Sequence, residues 1–109
     1  MNTRQIYKGT SKTITLSIEK DGVPFDITGY TATLTIKENL KDTDAQAILI
    51  QEVTTHVDPT DGKTAFSITI AESETFPSGT AYYQVQISEG AILLVVVAGE
   101  FLIKEKLKD

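Results

Sequence analysis

Few side chains in this 109-residue chain are of the types that do covalent chemistry. His56 is the single histidine and cysteine is absent. A Ser-His-Asp arrangement would have to run through His56, and no Gly-x-Ser-x-Gly turn presents a serine to it. His56 stands among Thr54, Thr55, Val57 and Asp58, the surroundings of a solvated strand-end histidine rather than a catalytic one. One histidine without any cysteine leaves a transition metal short of ligands. Asp42 and Asp44 sit at i, i+2, and Asp58 and Asp61 flank a turn. Calcium needs about six to eight oxygens, and neither segment has the glycine and closing glutamate of an EF-hand loop, so these read as solvated turn residues. No carboxylate spacing marks a glycosidase pair. The expectation is no catalytic residue, no metal site and no cofactor.

Two surfaces hold more promise for binding. Tyr82, Gln84 and Gln86 alternate with apolar neighbours and therefore share the outward face of one strand. A tyrosine beside amide side chains can bind sugar or protein, or simply stiffen a solvated face through cross-strand pairing. The second surface is the apolar run 91–98, which does not alternate. Either its outer face lies beneath the polar segment 38–47, or it is an exposed stripe for assembly contacts, with Ile92, Leu94 and Val96 as the contact residues.

The elements that must position these residues are nearly all strands. Threonine and isoleucine, both β-branched, are the commonest residues. Segment 13–20 alternates with Ile14, Leu16 and Ile18 inward, and Asp21-Gly22 suits the positive-φ positions of a tight hairpin. Pro24 restricts the return to an edge. Residues 26–30 form a compact turn with Gly29 at positive φ, and 31–37 repeats the alternation with Ala32, Leu34 and Ile36 inward. Segment 38–47 is a loop or helical turn, and 48–55 a strand of unfixed register. The cluster Asp58-Pro59-Thr60-Asp61-Gly62-Lys63 is the strongest turn signal. Beyond it, 64–70 places Phe66, Ile68 and Ile70 inward, and a short helical turn is expected near residues 71–76, capped by Ser73 and ended by Pro77-Ser78-Gly79. Glu72 and Glu74 suit the start of such a turn. Ala81, Tyr83, Val85 and Ile87 form the next inward face. Glu89-Gly90 turns into 91–98, Gly99 marks a bulge or turn, and a last strand spans 100–106.

About seven strands at roughly ten-residue spacing make an all-β fold, an immunoglobulin-like antiparallel β-sandwich, with a small barrel as the alternative. One domain over 1–109 is expected, its core within 8–104 and a charged tail at 105–109. The 10 Lys+Arg against 15 Asp+Glu give a net charge of −5, and the pI near 4.8 argues against nucleic acid as a partner. The start MNTRQIYKGT lacks the apolar core of a secretory signal, and the run 91–98 falls far short of the ~20 residues that cross a bilayer, so no membrane insertion is expected. Without cysteine the redox compartment stays open.

Four segments taken together carry a family resemblance: Lys8-Gly9-Thr10-Ser11 leading into Ile14-x-Leu16; Asp21-Gly22-x-Pro24-x-Asp26-Ile27-Thr28-Gly29; Ser73-x-Thr75 with Gly79-Thr80 before Tyr83-x-Val85; and Gly90 through Gly99-x-Phe101. Their order resembles the N-terminal immunoglobulin-like domain of the phage baseplate upper protein family and related small tail modules, over residues 8–104. The resemblance implies a non-enzymatic virion part of a phage or prophage tail or baseplate, made in the bacterial cytoplasm. It would pack on other tail or baseplate proteins, self-associate, and hold host-recognition components. It implies scaffold roles for Gly22 and Gly29 in turns, Gly79 before a core strand and Gly99 before the last strand, with Ile14, Leu16, Leu34 and Val85 in the core. Ala81-Tyr82 departs from the family's shorter Gly-x-Tyr approach. The chain also stops at Asp109 without the long extension of larger members, as a stand-alone module or an excised N-terminal domain would. The alternative is a carbohydrate- or protein-binding module of a bacterial surface protein, using Tyr82, Gln84 and Gln86.

Overall fold

Alternating β-branched and apolar residues, punctuated by glycine turns, favour sheet over helix. The computed structural model, which describes residues 3–39 and 41–105, is accordingly mostly strand. In chain order come β1 (Arg4–Tyr7), β2 (Lys12–Ser17), β3 (Glu19–Lys20), β4 (Val23–Pro24), β5 (Thr31–Lys37), β6 (Leu49–Val53), β7 (Lys63–Ile68), the helix α1 (Ile70–Glu74), β8 (Gly79–Glu89) and β9 (Ile92–Lys104). Short 3-10 turns occupy Asp44–Gln46 and Pro59–Asp61. One sheet runs β1-β9-β8-β5-β6; β2 pairs with β7, and β3 with β4. The fold is an all-β sandwich. No helix among the described residues is long and apolar enough to cross a membrane.

The inward residues of both layers meet in one core. Ile14 and Leu16 of β2 and Phe66 and Ile68 of β7 pack with Ala32, Leu34 and Ile36 of β5, and with Ala81, Tyr83, Val85 and Ile87 of β8. Phe101, Ile103 and Ile6 complete it from β9 and β1. Tyr83 and Phe101 meet edge to face at 5.9 Å between ring centres, a geometry that satisfies the aromatic quadrupoles. Phe76, just after α1, is fully buried in the same cluster.

The turns follow their chemistry. Asp21 and Gly22 both have positive φ, 56° and 79°, in the two-residue loop that pairs Lys20 with Val23, the type I′ geometry that matches strand twist. In the β8–β9 hairpin Glu89 pairs with Ile92, and Gly90 alone of the two loop residues has positive φ, 57°. That is the type II′ solution, with glycine first.

Five expectations need correcting. Ile70 is not inward: β7 ends at Ile68, Thr69 caps α1, and Ile70 begins the helix at 54% exposure. Ser73 does not cap the turn. Thr69 accepts from the Glu72 amide at 3.1 Å while the Glu72 carboxylate accepts from the Thr69 amide at 2.8 Å, a capping box. Ser73 is instead buried, its hydroxyl donating to the Thr10 carbonyl at 2.7 Å and tying the helix to the approach of β2. The sheet is not wholly antiparallel, because β1 pairs in parallel with β9, Arg4 opposite Phe101 through Tyr7 opposite Lys104. Ile6 thus enters the core ahead of residue 8. Finally, Gly99 is not a turn: it lies inside β9 opposite Tyr83, and the irregularity falls at Val96, where Val85 pairs with Val97 but Gln86 with Val95. Lys106 and the rest of the expected tail, 106–109, lie outside the described residues.

Candidate functional site

The β8–β9 hairpin is where the sequence and the fold disagree most usefully. Before the bulge, Ile92 and Leu94 pair with Glu89 and Ile87 and so share the core-side face of the sheet; Leu93 and Val95 pair with Ser88 and Gln86 and share the outer face. After the bulge the phase reverses, and the odd residues Val97, Gly99, Phe101 and Ile103 stand opposite Val85, Tyr83, Ala81 and Gly79 on the core side. A bulge inserts one unpaired residue and flips the side-chain alternation beyond it. The missing alternation of 91–98 therefore has two sources, this phase change and genuine surface apolarity.

The apolarity is real because no described residue covers the hairpin tip. Ile92, Leu93, Leu94 and Val95 are 46%, 60%, 44% and 59% exposed, whereas Val96 and Val97 pack against the core. The polar segment 38–47 cannot shield them: it follows Lys37, which pairs with Tyr82, at the opposite end of β8 from Ser88, the partner of both Thr31 and Leu93. Of the three expected contact residues, Ile92 and Leu94 are together on one face, and Val96 is set apart by the bulge. The somewhat larger exposure of the outer-face pair, Leu93 and Val95, escapes an alternation argument that does not know where the bulge is.

The second surface is the outer face of the large sheet. Tyr82, Gln84 and Gln86 are half-buried there, with the Gln84 amide donating to Gln86 at 3.2 Å. Pairing aligns Lys37, Tyr82 and Glu100 in one row, Ile50, Thr35, Gln84 and Ala98 in the next, and Glu52, Thr33 and Gln86 in a third. These rows line an open concavity of about 820 Å³. Thr33, Thr35 and Glu52 join it only through strand pairing, which no local pattern reveals.

His56 is half-buried rather than fully solvated. Its Nε2 lies 2.7 Å from the Tyr30 carbonyl, which can only accept, so this nitrogen carries the proton; Nδ1 lies 2.9 Å from the Thr64 hydroxyl. Thr64 is fully buried and presents no nucleophile to a substrate. The imidazole is a strut between the start of β5 and β7. Asp58 accepts from Thr60 at 3.2 Å, Asp61 pairs with Lys63 at 3.4 Å, and Asp42 accepts from the Asn39 amide at 3.1 Å. The Asp44 side chain lies outside the described residues, among which no cluster of three or more His, Asp or Glu gathers.

Two exposed carboxylates have shifted pKa values. The Thr28 hydroxyl and amide, 2.6 and 2.9 Å from Asp26 Oδ1, hold Asp26 below the usual carboxylate range. Glu105 is lowered chiefly by the Ser78 hydroxyl and then by Lys8.

Among the glycines, Gly29 and Gly79 have φ of 84° and 124°. A further glycine, whose replacement meets backbone, was not singled out in the sequence. Gly62, φ 74° and buried, closes the 3-10 turn against the carbonyls of Ile18 and Phe25.

The family model of the BppU N-terminal domain matches residues 2–74. No curated protein matches the chain. Among solved structures, the N-terminal domain of phage TP901-1 ORF48 is similar with a TM-score of 0.63 at 11% identity, over 94% of this chain and 85% of that one.

Proposed function

The chain belongs to the BppU N-terminal domain family, that of phage baseplate upper proteins, and from this premise we propose that it is a non-enzymatic assembly module of a phage tail or baseplate. In this reading it packs on other tail or baseplate proteins within the virion and helps to hold host-recognition components. The observation that carries the reading beyond the family is the hairpin tip, four large apolar side chains exposed in succession on a domain of net charge −5. Exposed apolar patches on soluble domains mark contact surfaces. The buried Thr64 beside His56 offers no catalytic pair to set against it.

Quantitative mass spectrometry of intact phage particles from the source strain tests the assignment. A fixed, symmetric ratio to other tail proteins is expected. Particles that form without the chain, with the chain fractionating in the cell envelope, would refute it.

The concave outer face supports a second reading, as a glycan-binding surface. It joins the Tyr82 ring, two amides, two threonines, two carboxylates and the Lys37 side chain in about 820 Å³. Glycan titration decides it: saturable binding that Tyr82→Ala abolishes supports this role, and no binding by the unaltered chain rejects it.

A further inference from the structure

Six of the nine large apolar side chains exposed among the described residues gather toward one end of the sandwich: Val23, Val57, Ile92, Leu93, Leu94 and Val95. Backbone contacts bring their segments together there. The Ile27 amide donates to the Pro59 carbonyl at 2.9 Å, the Ile18 amide donates to the Gly62 carbonyl at 2.8 Å, and His56, next to Val57, bonds the Tyr30 carbonyl. The Glu89 carboxylate lies over Gly29, 2.6 Å from where a Cβ would stand. The connections 25–30, 54–62 and 89–91 and the β3–β4 hairpin therefore share the end at which Thr31, Ser88 and Leu93 align.

The same end carries most of the charge. Glu19, Asp21, Asp26, Asp58, Asp61 and Glu89 stand there against Lys20 and Lys63, a balance of −4 in a chain of −5. Lys63 is already paired with Asp61 at 3.4 Å. Toward the other end, segments 4–12, 37–39, 41–44, 72–74 and 104–105 hold six cations and six carboxylates, and so balance. The most apolar end of the domain is thus also its acidic end.

From this coincidence we propose that the hairpin end docks on a different tail or baseplate protein whose contact surface is an apolar patch bordered by lysine or arginine. The proposal deepens the assembly reading and rests on it. Apolar burial supplies the affinity, and charge selects the occupant. A second copy of this end would set −4 against −4, and a phosphate-bearing partner, whether lipid or nucleic acid, meets the same repulsion. A basic rim instead finds carboxylates on three neighbouring connections. The contact runs through side chains rather than strand addition, because the bulge at Val96 interrupts the β9 edge and bends it. Leu93, 60% exposed, anchors the contact, and Glu89, paired with Ile92 across the turn, is the carboxylate adjoining the apolar run.

Carboxyl footprinting and zero-length carboxyl-to-amine cross-linking, on intact phage particles and on the free 109-residue chain, test this. Labelling of Asp21, Asp58 and Glu89 should fall in particles, while Glu38 and Glu74 at the other end label as in the free chain. Cross-links from these three carboxylates should run to lysines of one other tail protein. Leu93→Asp keeps the sign of the charge and removes the anchor. It should cut incorporation into particles about tenfold, as loss of a hot spot does, with an unaltered circular dichroism spectrum. Glu89→Lys should also lower incorporation, and Glu74→Lys should not.

A chain held in particles at a fixed ratio whose Asp21, Asp58 and Glu89 label as in the free chain overturns the proposal and leaves the assembly reading standing. Cross-links from these residues only to a second copy of the chain overturn it as well. Absence of the chain from particles overturns both.

Discussion

Gly62→Ala isolates the energetic cost of one close backbone approach. Gly62 has φ 74°, where an alanine costs about 1–2 kcal/mol relative to its ordinary conformations. An added Cβ would also overlap the Ile18 carbonyl oxygen and stand 2.7 Å from that of Phe25. The Ile18 oxygen, the nearer of the two, cannot swing aside: the Gly62 carbonyl accepts from the Ile18 amide at 2.8 Å, and the Ile18 carbonyl accepts from the Phe25 amide at 2.9 Å. Relieving the overlap must move backbone at the junction of β2, β3 and the 3-10 turn, which adds about 1–3 kcal/mol by analogy with overpacked cores. The expected loss is about 2–5 kcal/mol, a large fraction of the ~5–15 kcal/mol that domains of this kind possess. Gly22→Ala is the control, since Gly22 has φ 79° and nothing within 4 Å of its would-be Cβ, leaving only the conformational cost. Urea unfolding monitored by circular dichroism, with linear extrapolation, measures both. If the two variants lose the same stability within error, the carbonyl contact contributes nothing and the reasoning fails.

Other outcomes follow from single contacts. Thr69→Ala should lose about 0.5–2 kcal/mol with the helix cap, and Ser73→Ala about 1–3 kcal/mol because the Thr10 carbonyl is left without its buried donor; urea midpoints measure both, and an unchanged midpoint for either removes its role. Asp26 should titrate by NMR below the ordinary 3.8, and Thr28→Val should raise it. Because the folded-state pKa is depressed, this pair stabilises the fold above the unfolded-state pKa, and the contribution fades as pH falls through the folded one. An Asp26 that titrates normally would refute the pairing.

What was legible in the sequence was what short-range periodicity can encode. The inward sets Ile14-Leu16-Ile18, Ala32-Leu34-Ile36 and Ala81-Tyr83-Val85-Ile87 are all buried, because period two and burial are the same fact in a half-covered strand. Asp21-Gly22 announced its hairpin for the same local reason. The losses are all nonlocal. β1 is four residues long and gains its identity only by pairing with a strand about a hundred positions away. The bulge at Val96 is invisible because every residue from 92 to 97 is apolar, so no polar residue marks the phase change. Ile70 misled because a helix begun by Thr69 and Glu72 overrode one more step of alternation. His56 sits among polar sequence neighbours, yet its partners are Tyr30 and Thr64, supplied by other strands. Of the candidate surfaces, the apolar run could be found but not divided between faces, and Tyr82 could be placed outward but not within a concavity.

The parallel pairing of β1 with β9 also fixes how the domain bears tension. A pull toward the amino end drags β1 away from Tyr7 through Arg4, while a pull toward the carboxyl end drags β9 onward past Lys104. The two forces run along the strands in opposite directions, so the four pairs from Arg4–Phe101 to Tyr7–Lys104 are loaded together in shear rather than peeled one by one. Rupture then requires all of their hydrogen bonds to fail at once. A hairpin pulled apart at its open end would surrender them in turn. The four-residue β1, which gives the core only Ile6, thus makes the domain a mechanical clamp along the line through its two ends.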